Sequence, residues 1–143
     1  MVFISNDLVE KIKAKGIKAY PHECCGFIYG KLLDDGNKTA ESIEAVNNSF
    51  DESEQYHRYM ISPEDMMRVE LYARKHGLDI IGFYHSHPDC AAIPSGYDRN
   101  HALPVYSYVI ISVVDRIAAD VKSWILCEDN VQFDNELLNI TDC

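Results

Sequence analysis

The chain has 143 residues and a mass of 16.3 kDa, long enough to bury one core without disulfides or a partner, and its hydrophobic and charged fractions of 47% and 25% are ordinary for a globular protein. Thirteen Lys and Arg against 23 Asp and Glu leave a net charge of −10, which argues against nucleic acid, because phosphate neutralisation needs clustered cations. No apolar run approaches the ~20 residues of a membrane helix, and residues 1–15 lack the continuous apolar centre of a secretion signal; the expectation is a cytoplasmic protein with no membrane or nucleic-acid partner, of unknown oligomeric state.

In chain order, Ser5 or Asn6 can cap a first helix. Leu8, Val9 and Ile12 then recur at helical spacing, and Gly16 is expected to weaken or end it. Tyr20-Pro21 breaks the chain. Residues 25–33 and 38–46 read as two strands joined through Asp34-Asp35-Gly36-Asn37, a hairpin signal because the turn needs residues that tolerate positive φ. Residues 47–56 are polar loop, and 57–61 (HRYMI) reads as a short strand. A second helix starts at the cap Ser62, with Pro63 at its first position, and stops at Gly77. Its apolar line is Met66, Val69 and Ala73, with Met67 and Leu71 beside it. Residues 79–87 form a strand ending in histidines, 105–114 a strand buried on both faces, 121–126 another, and 132–138 a last strand or short helix. The order predicts an α+β fold with helices on a central sheet.

The five cysteines are Cys24, Cys25, Cys90, Cys127 and Cys143. Their odd number and the lack of a C-x-x-C pair argue against a disulfide framework and suit a reducing compartment. Beside an apolar stretch, Cys24 and Cys25 read as small buried hydrophobes.

The chemistry concentrates in residues 85–98, HSHPDCAAIPSGYD. Side chains two apart on a strand share a face, so His85 and His87 present two imidazoles side by side. Pro88 ends the strand and lets the chain return with a third ligand. Imidazoles plus a carboxylate suit zinc, and three protein ligands leave a position open, as in catalytic sites. Asp89 and Asp98 are both candidates for the carboxylate. Ser95-x-x-Asp98 also has the form of a helix capping box.

The combination H-x-H-P-x6-S-x2-D resembles the signature of the JAMM, or MPN-plus, metalloproteases. Upstream, Pro21 to Gly30 (PHECCGFIYG) resembles the segment that carries a glutamate in prokaryotic members, and the likeness spans most of residues 5–138. The resemblance implies a single MPN-like domain over residues 1–143, with a partly curled mixed sheet flanked by helices. It implies one Zn2+ per chain on His85, His87 and Asp98, favouring Asp98 over Asp89 by spacing. It further implies Glu23 as general base and then acid, and Ser95 as donor to the oxyanion. His101 stands just beyond the motif as a candidate supporting residue, whereas His22 and His57 read as structural or surface residues and His76 as a helix-end residue.

Ubiquitin-specific members carry long insertions, but only ten residues separate His87 from Asp98. The chain is similar to the compact type, which implies hydrolysis of an amide bond after the C-terminal Gly-Gly of a ubiquitin-like or sulfur-carrier protein. Two other readings are a non-catalytic MPN interaction module, which typically lacks the ligands found here, and a metallo-β-lactamase-like hydrolase. The latter shares H-x-H-x-D, but Cys90 stands where its next histidine would be.

Overall fold

The computed structural model describes residues 1–129 and 131–142, so Cys143 lies outside the described residues. The elements are β1 (Val2–Ser5), α1 (Asn6–Ala19), β2 (Cys25–Leu32), β3 (Lys38–Val46), α2 (Pro63–Lys75), β4 (Asp79–Pro88), α3 (Gly96–His101), β5 (Ser107–Val114), β6 (Ile117–Leu126), β7 (Phe133–Glu136) and β8 (Leu138–Thr141). They form an α+β fold around one mixed sheet of order β7-β6-β5-β4-β2-β3-β1-β8. β4–β5, β1–β3 and β1–β8 pair in parallel, and the other neighbours are antiparallel. Among the described residues no helix is long and apolar enough to cross a membrane.

β7 and β8 stand at opposite ends of this order, yet only Leu137 lies between them. A single residue spans no more than about 7 Å between its neighbours, so the two edges of the sheet must meet. Across that junction the Met1 ammonium, just before β1, lies 3.7 Å from Glu136 Oε2 of β7. The sheet is therefore curled and partly closed.

Leu8, Val9 and Ile12 of α1 pack on one face against Val2, Ile4, Ile28, Ile81, Tyr84, Val109, Ile111 and Val113. On the other face, Val69 and Ala73 of α2 meet Phe27, Tyr29, Phe83 and Tyr108. Strand alternation then places His85 and His87 on the face of Phe83, and Ser86 on that of Tyr84.

Several expectations need correction. α1 runs through Gly16 to Ala19, because the absence of a side chain there admits β4 and β5: an added Cβ would stand 3.1 Å from Val113 Cγ2 and 3.3 Å from Ser86 Cβ. Met67 and Leu71, four residues apart, form a solvent ridge, 65% and 56% exposed. Residues 57–61 are not a strand; Met60 N–H donates to Asn48 Oδ1 and the Met60 carbonyl accepts from Ser49 N–H, so side chain and loop replace a ladder. The segment 132–138 divides between β7 and β8. β5 starts at Ser107 rather than 105, β6 starts earlier than expected at Ile117, and β1 lacks a sequence signal of its own.

Candidate metal centre

The β2–β4 register assembles the site. Cys25 pairs with His85 in an antiparallel ladder, so two residues further along each chain Glu23 comes opposite His87. Ser86 holds that alignment beyond the ladder: its Oγ accepts from Cys24 N–H at 2.8 Å, and its N–H donates to the Cys24 carbonyl at 3.3 Å. After Pro88 the chain turns back into α3. Ser95 caps this helix in a reciprocal box, accepting from Asp98 N–H at 3.0 Å while Asp98 Oδ2 accepts from Ser95 N–H at 2.9 Å. The box aims the Asp98 carboxylate at the histidines.

Three atoms converge. His85 Nε2 lies 3.2 Å from His87 Nε2 and 3.3 Å from Asp98 Oδ2, and His87 Nε2 lies 3.0 Å from the same oxygen. His87 Nδ1 faces the Ala91 carbonyl at 2.8 Å; as the donor there, it leaves a lone pair on Nε2 in the neutral ring. Tetrahedral coordination with bonds of about 2.0–2.1 Å separates ligand atoms by about 3.3 Å. The spacings observed match that triangle, so the donor set fits a cation such as zinc. Glu23 joins the histidines: its carboxylate and the two imidazoles offer ligand atoms within 4.8 Å of one another, an arrangement compatible with metal coordination. Its buried Oε1 has no hydrogen-bond partner among the described residues.

The electrostatics follow from this crowding in a dry pocket. Burial lifts the Glu23 carboxyl to about 8, with His87 opposing and Asp98 assisting. Burial also depresses His85, against the attraction of Asp98. For His87 burial acts downward too, but the hydrogen bonds to Asp98 and the Ala91 carbonyl win and raise it. Burial works against the Asp98 charge, yet the two histidines and the Ser95 amide hold its carboxyl well below the usual range.

Glu23, His87 and Ser95 line a cleft of about 250 Å³ with Tyr56, His57 and Ile93. Asp89 turns away: Tyr20 O–H donates to it at 2.7 Å and Asp115 N–H at 3.0 Å. His101 stacks on Tyr97, its Nδ1 lies against the Tyr97 carbonyl at 2.9 Å, and it lines a neighbouring cavity together with Asp98. His57, read as structural or surface, borders the cleft and lies 3.0 Å from Glu54. Burial raises the Cys24 thiol to about 11 and Cys25 further still, as expected for cysteines that act as small hydrophobes. Cys90 is exposed in the cleft wall. Two contributors had no spacing signal. Tyr59 stacks on His85 with ring centroids 4.5 Å apart, and Asn48 donates to the Glu23 carbonyl at 3.2 Å.

The family described as prokaryotic homologs of the JAB domain matches residues 5–127. The desampylase of Haloferax volcanii is 34% identical over 100 residues, 69% of this chain and 68% of that protein. The solution structure of a Desulfitobacterium hafniense protein superposes with a TM-score of 0.85 at 26% identity, covering 100% of this chain and 94% of that one. A JAB1/MPN-domain protein from Archaeoglobus fulgidus shares the fold, with a TM-score of 0.58 at 14% identity over 99% of this chain and 98% of its own.

Proposed function

The chain belongs to the family of prokaryotic JAB-domain proteins, and from that premise we propose that it is a zinc-dependent peptidase or isopeptidase of the JAMM type. Its substrate is an amide bond after the C-terminal Gly-Gly of a ubiquitin-like or sulfur-carrier protein, and all 143 residues act as one cytoplasmic domain. The observation that carries the reading is the triangle of His85 Nε2, His87 Nε2 and Asp98 Oδ2 with sides of 3.0–3.3 Å, beside Glu23, whose buried Oε1 has no partner among the described residues.

In this reading His85, His87 and Asp98 hold one zinc, and Glu23 stays outside the ligand set. Zinc bound there supplies a Lewis acid and brings the pKa of water to about 7. Glu23 takes the proton removed from water and returns it to the leaving amine nitrogen. Burial alone keeps that carboxyl protonated, and a neighbouring cation favours the ionised form the base needs. Ser95 O–H donates to the developing oxyanion while its oxygen accepts from Asp98 N–H, which fixes the hydroxyl's position. A donor of this kind contributes roughly 10²–10³ in rate. Likeness to a desampylase supports a ubiquitin-like substrate.

Zinc-loaded protein mixed with a β-grasp carrier bearing an extension after its Gly-Gly should release the extension, read by mass, at one zinc per chain. Intact carriers of every kind would reject the reading.

A further inference from the structure

The wall of the cleft opposite α3 is an irregular strap, residues 47–61. It has little regular structure apart from one 3-10 turn at Glu52–Glu54, yet it touches every element that supplies the site. Tyr59 stacks on His85 of β4. Arg58 lies over the Tyr97 ring of α3 at 5.3 Å, and Phe50 meets the same ring edge-on at 5.8 Å. Gln55 O accepts from Glu23 N–H at 2.7 Å.

One side chain organises this strap. Asn48 Nδ2 donates to the Arg58 carbonyl at 2.9 Å and to the Glu23 carbonyl at 3.2 Å, while Oδ1 accepts from Phe50 N–H and Met60 N–H, each at 3.1 Å. A primary amide has two donor hydrogens and two acceptor lone pairs, and here all four are used. Two carbonyls at one end and two N–H groups at the other also settle which way the amide points. Gln55 braces the arrangement, its Nε2 donating to the carbonyls of Asn48 at 3.1 Å and Phe50 at 2.8 Å. The peptide groups on both sides of the Glu23 Cα are thus clamped by the strap. Its carboxylate has no such restraint at Oε1.

Resting on the peptidase reading, we propose that Asn48 is the positioning residue for Glu23: it locks the 47–61 strap to the Glu23 backbone and so sets where the carboxylate stands relative to the histidine pair. Asn48 touches none of the three converging atoms, so its role separates from metal binding. A base displaced by about 1 Å loses on the order of 10²-fold in rate.

The test uses the full zinc-loaded chain and the variants Asn48→Asp, which keeps shape and acceptor but lacks both donors, and Asn48→Ala. Expected are one zinc per chain, KM on a Gly-Gly-extended carrier within about twofold of the parent, and kcat lower by roughly 10- to 100-fold. In Asn48→Ala, which also removes the acceptor of Phe50 and Met60 N–H, amide exchange at Glu23, Phe50 and Met60 should accelerate together while that of β4 stays at the parent rate. Full kcat in a folded variant would overturn the proposal, as would zinc and kcat lost together in both. A parent that cleaves nothing rejects the peptidase reading alone. The exchange data then decide, and a Glu23 amide still protected while Phe50 and Met60 are freed would refute the positioning role.

Discussion

Two buried polar groups stand at opposite ends of the sheet and are treated in opposite ways. At the start of β3, Lys38 is 2% exposed, and its ammonium donates to Ser107 Oγ at 2.7 Å and to the Val105 carbonyl at 2.5 Å. Burial lowers its pKa, and Glu136 opposes that shift. Donor meets acceptor, and the pair of bonds ties β3 to β5 within the curl. At the far end of β4, His85, His87 and Asp98 turn electron-rich atoms toward one another. Among the described residues, Glu23 Oε1 beside them is buried without a partner, as are His57 Nδ1, His85 Nδ1 and, on the opposite face of β4, Tyr84 Oη. A structural polar group is satisfied within the fold, whereas a binding site keeps its capacity unspent. The difference separates architecture from chemistry without reference to any relative.

The sharpest way to break the contrast is to remove a ligand. His87→Ala should take the zinc content from one per chain to none and abolish cleavage, as measured by metal analysis and carrier mass. Glu23→Gln should retain the metal and lose roughly 10²–10⁴ in kcat, the range of a general base. A metal-free Glu23→Gln protein would instead place Glu23 among the ligands, a role that its distance from the rings leaves geometrically accessible.

Without metal, the unspent capacity should appear as a pH-dependent cost. Burial, opposed by His87 and assisted by Asp98, raises the folded Glu23 pKa from 4.5 to about 8. A carboxyl with the higher pKa in the folded state binds its proton more tightly there. Its contribution is full below pH 4.5, fades as pH rises and is lost above about 8. Denaturant titrations of chelated protein at pH 5 and pH 9 should show the parent losing more stability than Glu23→Gln over that interval. The ceiling is about 4–5 kcal/mol. An equal loss in both would mean that the pocket admits enough water to solvate the charge.

Lys38→Met addresses the other end of the sheet. It deprives Ser107 and the Val105 carbonyl of their donor and should cost about 1–3 kcal/mol in a urea titration. Zinc content and kcat should not change, since the satisfied end carries no chemistry.

The sequence exposed these regions unequally. The hairpin of β2 and β3 and the capped helix α2 were legible because their signals are local: Gly36 takes a φ of 86° in the turn, and Ser62 accepts from Asp65 N–H at 3.1 Å. The histidine pair was legible for the same reason, since two-residue alternation places both rings on one face. What stayed hidden depends on distant partners. β1 and β8 have four residues each and owe their pairing to the closing of the curl. The strap looks like polar loop because Asn48 satisfies it through side-chain bonds that leave no periodicity. Glu23 is one of 23 acidic residues. The likeness of residues 21–30 to the family segment singled it out, and the register of Cys25 against His85 gives the physical reason for its position.

The smallest expected effect decides which carboxylate completes the triangle. Asp89 directly follows the H-x-H-P run and would be a ligand in a metallo-β-lactamase-like site. Its backbone takes a φ of 56°, its N–H donates to the Val113 carbonyl at 2.7 Å, and its carboxylate accepts from Tyr20 O–H and Asp115 N–H. These bonds turn Asp89 toward α1 and the β5–β6 turn, where each of its oxygens already accepts one hydrogen bond. Asp89→Asn should therefore keep one zinc per chain and leave kcat within about twofold of the parent, whereas Asp98→Asn weakens zinc binding in the same titration. Loss of metal from the Asp89 variant would show that a surface carboxylate already hydrogen-bonded at both oxygens can still be drawn into the site, and the rule separating the two ends of the sheet would fail where it is easiest to check.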